Sequence, residues 1–289
     1  MKTTVKFIFR SMLVLTAVAV VVTGCRKKKE EDNDTGSASD NAFAEASYND
    51  MSTIGDQAST GTMSTFRNGN DEGSLLSACA TITFNNANSS DNDSITVDFG
   101  STNCMCADGR YRRGKILITY TGGMQYRDSN MVVHFNPMNY YVNDNNIAGT
   151  KTVTNRGHIN GKLTWDIVVN GVITLANNGG TITWNSTRTR VLLAGETTYN
   201  GPINWSIAKI GVTGSANGTT ANNESYTATI TSQIIRDMSC GANRRHFVQG
   251  TLDFTPGNKP TRHIDFGNGT CDDIAVVTIG SNSYTVHMR

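Results

Sequence analysis

Three tryptophans, Trp165, Trp184 and Trp205, are the only ones in the 289-residue chain. Each stands four residues after a Gly and two after an aliphatic residue, in "GKLTW", "GTITW" and "GPINW". Their separations are 19 and 21 residues. Side chains two apart on a strand share a face, so Leu163, Ile182 and Ile203 accompany them. If a hairpin takes about 20 residues, the indoles fall on alternate strands, roughly 10 Å apart. A row of indoles at that spacing can stack on successive sugar rings of a polysaccharide. The plainer reading is a hydrophobic core, with Thr and Asn alternating outward.

Acid–base and metal chemistry have thinner support. Beyond residue 38, Glu occurs only at 45, 72, 196 and 224. A glycosidase needs two carboxyl groups about 5–9 Å apart, and nothing in the spacing brings Glu196 to Glu224. The five histidines, at 134, 158, 246, 263 and 287, are scattered. His263 and Asp265 are expected as a surface pair on one side of a strand. Cys104-Met105-Cys106 lacks a nearby His to complete zinc spacing. "SSDNDS" (residues 89–94) lacks the Gly and terminal Glu of an EF-hand. No G-x-S-x-G, H-E-x-x-H or P-loop is present. The expectation is therefore a non-enzyme with no catalytic residue, no metal and no cofactor.

The cysteines follow a repeat. "ITVDFGSTNC" (Ile95 to Cys104) matches "HIDFGNGTC" (His263 to Cys271). Each copy has an upstream strand, "TITF" or "TLDF", and an earlier cysteine, Cys79 or Cys240. The parsimonious disulfides are Cys79–Cys104 and Cys240–Cys271, leaving Cys106; Cys79–Cys106 is the alternative. Asp98 and Asp265 lie in the repeat, where a turn-stabilising role is expected rather than acid–base work.

These residues need strands to position them. Only 17% of residues are charged, Gly is high at 28 and Pro low at 4. Alternating runs such as "SITVDF", "KILITYT", "KLTWDIVV", "TITWNS" and "YTATITSQII" are separated by Asn-Gly signals. These signals are Asn170-Gly171, Asn178-Gly179-Gly180, Asn200-Gly201, Asn217-Gly218 and Asn268-Gly269. Asn-Gly supplies the positive φ of tight hairpins. The fold expected is all-β, a large antiparallel meander forming a sandwich or one long twisted sheet. One short helix precedes it: from Asp40 to Ser59, Phe43, Ser47, Tyr48, Met51, Ile54 and Ala58 fall near one face. Ser39 or Asp40 is its expected N-cap.

The N-terminus is an address. Lys2, Lys6 and Arg10 precede an apolar run from Met12 to Val22, too short to span a bilayer at about 20 residues. Val22-Thr23-Gly24-Cys25 resembles the bacterial lipobox. That resemblance implies diacylglycerol on the Cys25 sulfur, cleavage before Cys25 and N-acylation. Lys29-Glu30-Glu31 resembles the export signal of Bacteroidota surface lipoproteins, and implies an anchor in the outer membrane with the body facing outward. Asp93-Ser94-Ile95 resembles the O-glycosylation motif of the same group, which marks Ser94.

The domain reading is residues 1–24 signal peptide, 25–38 lipidated cysteine and charged tether, 39–73 helix and loop, and 74–289 β domain. Without residues 1–24 the chain loses three basic and no acidic residues, leaving 22 basic against 24 acidic. No basic patch speaks for nucleic acid. The partners expected are the bilayer, through acylated Cys25, and a polysaccharide or surface protein. The alternatives are a structural envelope protein without a soluble ligand and, more remotely, a glycan hydrolase.

Overall fold

The computed structural model describes residues 36–60, 76, 80–85, 93–120, 128–199, 203–243 and 246–288. Cys25, the lipobox, the Lys-Glu-Glu signal, Cys79 and Asn200-Gly201 lie outside these residues.

Among the described residues, one α-helix, α1 (Gly36–Thr60), is followed by fourteen strands. The first seven are β1 (Thr81–Asn85), β2 (Asp93–Asp98), β3 (Cys104–Met105), β4 (Tyr111–Tyr120), β5 (Val132–Val142), β6 (Asn145–Ile159) and β7 (Lys162–Thr174). The rest are β8 (Thr181–Ala194), β9 (Lys209–Thr219), β10 (Ser225–Asp237), β11 (Phe247–Pro256), β12 (Arg262–Asn268), β13 (Ile274–Ile279) and β14 (Asn282–His287). All belong to a single antiparallel sheet in chain order, with only β3 off the path, paired to β4. The expected meander is present, as one sheet rather than a sandwich.

Turn chemistry explains the hairpins. Asn143-Asp144 joins β5 to β6 and Asn160-Gly161 joins β6 to β7, all four residues with φ between +47° and +73°. Positive φ at both central residues defines the type I′ turn, whose twist suits a two-residue hairpin. Asn178-Gly179-Gly180 turns as expected. Asn170-Gly171 and Asn217-Gly218 do not: β7 and β9 run straight through them. The glycines serve close approach instead. A Cβ on Gly171 would meet the Tyr48 ring at 2.3 Å, and one on Gly218 would meet the Thr183 carbonyl at 1.9 Å.

The helix begins earlier than its sequence pattern suggests, so the last residues assigned to the tether are helical. Asp40 is not its cap. Its carboxylate instead accepts the Ala221 N–H at 2.8 Å, fastening the helix start to the β9–β10 turn. Ala44, Tyr48, Met51, Ile54 and Ala58 are fully buried, the predicted face with Ala44 added. From Ser47 to Ser59 no described residue is exposed. The helix touches β2, β7, β8 and β11. Strands so far apart in the sheet reach one helix only if the sheet curls round it. The main core is therefore the sheet's inner face packed on α1.

That interface is partly polar. Lys151 is 1% exposed and donates to the Tyr48 carbonyl at 2.7 Å. Burial, then the Arg190 charge, drives its ammonium well below the ordinary 10.5. The fold disfavours the protonated form, so stability falls as pH drops below 10.5 toward the folded value. Lys151→Met keeps the apolar stem and removes this penalty. We expect a higher Tm for the variant at pH 7, by a few degrees, and a smaller gain at pH 10, read by thermal denaturation. A lower Tm at both pH values would show that the hydrogen bond to Tyr48 outweighs the charge penalty.

The repeat is a structural unit. Thr81 faces Asp98 and Thr251 faces Asp265; Ile82 faces Val97 and Leu252 faces Ile264. Asp98 accepts the Gly100 N–H at 2.9 Å, and Asp265 accepts the Gly267 N–H at 2.8 Å. Gly100 and Gly267 have φ of +81° and +90°, values that favour glycine. Cys240–Cys271 is a disulfide. Cys104 is also disulfide-bonded, and Cys106 is a buried free thiol. The Cys79–Cys106 alternative is thereby excluded.

Candidate ligand-binding face

Trp165, Trp184 and Trp205 do not fall on alternate strands of the sheet. Trp184 is 2% exposed; its ring stacks on Tyr48 at 5.6 Å and its Nε1 donates to Asn41 on α1 at 3.0 Å. Trp165 lies on the adjacent strand, not an alternate one. It pairs with Arg190 whereas Trp184 pairs with Gly171, so the two stand far apart along the strands. Trp165 is half-buried on a second, smaller cluster of Leu192, Ala208 and Ile210. Trp205 is in a 3₁₀ turn, Trp205–Ile207, outside any strand. The equal spacing misleads because the connection after β8 is long, so the third copy is out of phase. The polysaccharide-binding row is replaced by a core residue, a satellite-cluster residue and a turn residue.

Other expected sites are placed as follows. Ser94 is in β2, on the outward face, facing Asn85 on one side and Thr119 on the other. His263 pairs with Asp253 on β11, Nδ1 to Oδ1 2.6 Å, and not with Asp265. The two are register partners on neighbouring strands, closer than residues two apart on one strand. Glu196 and Glu224 are at opposite ends of the sheet: Glu196 follows β8, while Glu224 precedes β10 and binds Lys259 at 3.0 Å.

What the sheet offers outward is a largely polar lattice rich in Thr, Ser and Asn. The pairing places Ser94, Thr119, His134, Thr152, Val168, Thr187, Ser215, Thr229, Asp253, His263, Thr278 and Ser283 on one line across the strands. Beside it runs Thr150–Asn170–Asn185–Asn217–Thr227–Thr255. Neighbours along each line are about 4.8 Å apart. Asn170, Asn185 and Asn217 are exposed, and their amides bond to no other described residue. They line a shallow trough with Val168, Thr187 and Ser215. No charged side chain lines it.

No family model, curated protein or solved structure matches the chain. The chemistry of the site stands on these residues alone. Each Asn amide offers two donors and one acceptor oxygen, and each hydroxyl offers both roles. Three consecutive amides at strand spacing form a neutral ladder that can bond repeating hydroxyl groups. Uncharged hydroxyl-rich polymers fit it; a phosphate or sulfate chain gains nothing from it electrostatically.

A further arrangement was invisible in the sequence. His158 at the end of β6 places Nε2 2.9 Å from both oxygens of Glu196, 38 residues later. The Tyr199 ring stacks on that imidazole at 4.0 Å. No spacing rule signals contacts that depend on the β6–β8 geometry.

Proposed function

We propose that this is a lipid-anchored lipoprotein of the outer membrane, its body on the cell surface, and that the β domain is a non-catalytic binder of a neutral glycan. The anchor rests on the lipobox and the Lys-Glu-Glu signal. The carrying observation for the ligand is the uncharged Asn170–Asn185–Asn217 ladder, three amides side by side with no bond to other described residues. A polymer laid across the strands meets a repeat of donors and acceptors about every 4.8 Å, of the order of one sugar ring.

Two expected outcomes follow from this reading. Cys25→Ser abolishes fatty-acid labelling and moves the protein out of the membrane fraction; full retention there, without a fatty acid on the native form, contradicts the anchor. On a glycan array, the triple variant Asn170→Ala/Asn185→Ala/Asn217→Ala loses at least about tenfold in affinity with its Tm unchanged, since each lost hydrogen bond contributes about 0.5–1.5 kcal/mol. Binding that ignores all three substitutions removes the ladder from consideration.

A further inference from the structure

We propose that Tyr199, seated on the His158–Glu196 pair, is a stacking platform for a neutral sugar ring. It lies at the end of the sheet opposite the start of α1. The inference rests on the glycan reading above and adds a second, separate site to it, beyond the end of β8.

Tyr199 is 71% exposed although it is in ring contact. Its partner imidazole covers one face, with the planes 26° apart. The His158 side chain is itself only 4% exposed and is gripped by both carboxylate oxygens of Glu196, so the ring rests on a fixed base. The other face of the phenol points to water. Covering a large aromatic surface held open to water in this way is favourable.

Position and shape select the occupant. The imidazole ends β6, and Tyr199 lies in the connection after β8. The helix start is fastened at the β9–β10 turn, which is the far end of the same strands. Ile159 and Ile207, 46% and 54% exposed, are at the same end of the strands, at the end of β6 and just before β9. The Glu196 carboxylate, 18% exposed, adds an acceptor on the imidazole side of the ring. A pyranose presents an apolar C–H face to stack and hydroxyl donors around its edge for such an acceptor.

The test uses the full-length lipidated protein in detergent micelles, titrated with a panel of neutral oligosaccharides of two to eight sugars. Tyr199→Ala is expected to lose about tenfold in affinity for the tightest member, and Tyr199→Trp to retain it. The side chain is solvent-exposed, so an unchanged Tm confirms that the variants fold. Native affinity in Tyr199→Ala overturns the platform; if the triple Asn variant loses binding in the same assay, the glycan reading survives without it. Loss in Tyr199→Ala but not in the Asn variant supports the platform and overturns the ladder. A native protein that binds no member of the panel overturns both.

Discussion

Asp108→Asn is expected to cost on the order of 3–5 kcal/mol of folding free energy. Arg112 is fully buried, and its Nη1 and Nη2 each donate to an Asp108 oxygen at 2.8 Å. Its Nε donates to the Tyr140 hydroxyl at 3.2 Å. Asp108 is 2% exposed and also accepts from Arg110 Nε at 2.7 Å, while Arg110 reaches Asp50 on α1 at 2.6 Å. The amide of asparagine cannot neutralise the guanidinium, which is left buried without its counter-charge. Burial pushes the Asp108 carboxyl up, but hydrogen bonds and charge from Arg112 and Arg110 outweigh it and bring it down to about 2. A depressed carboxyl contributes its stability above the unfolded value near 3.8, and that contribution fades as pH falls toward 2. Urea titrations at pH 7 and pH 2.5 therefore give a large difference between native and variant at the first pH and a smaller one at the second. Equal stability at pH 7 would mean that the pair is replaceable by a neutral hydrogen bond.

Tyr48→Ala is expected to be as damaging, at about 3–5 kcal/mol. The ring is fully buried between Trp184 and the Gly171 backbone, and its hydroxyl donates to the Ala148 carbonyl at 2.6 Å. Truncation opens a cavity at the centre of the helix–sheet contact and leaves the carbonyl without its donor. Tyr48→Phe separates the two effects: it keeps the ring and loses only the hydrogen bond, about 1–3 kcal/mol for an unsatisfied buried group. Denaturant midpoints of the two variants should rank native, Phe, Ala. Gly171→Ala should resemble Tyr48→Ala, because the added methyl occupies the space of the same ring. A Tyr48→Ala midpoint close to native would show that the helix is not the seat of the core.

The local rules were readable where they acted locally. Period-2 alternation marked the strands, and the face of α1 was visible because Tyr48, Met51, Ile54 and Ala58 recur at helical intervals. The Asp-Phe-Gly repeat announced its own turn, since Asp98 and Asp265 bond a glycine two residues on. What failed was non-local. Asn170-Gly171 and Asn217-Gly218 carry the letters of a turn, but a helix ring or a neighbouring carbonyl occupies the room a side chain would need. The indole spacing suggested a row because even separations imply even hairpins, and the long connection 195–208 breaks that rule. The Asn ladder requires knowing that Asn170, Asn185 and Asn217 are register partners, and register is set by hairpins whose lengths sequence gives only approximately. His158, Glu196 and Tyr199 meet through tertiary geometry alone.

The helix that fills the curl of the sheet is also the first described segment of the chain. Under the lipid-anchored reading, any drag on the body at the cell surface is delivered to the N-terminus of α1 and so into the core. The load path then runs through Asp40, Asn41 and Tyr48 to β6, β8 and the β9–β10 turn. Extraction shears these contacts lengthwise all at once, whereas peeling a terminal strand breaks them singly. The anchor point is thus a mechanical clamp, and pulling by the N-terminus in a force spectrometer should need more force than pulling by the C-terminal strand β14.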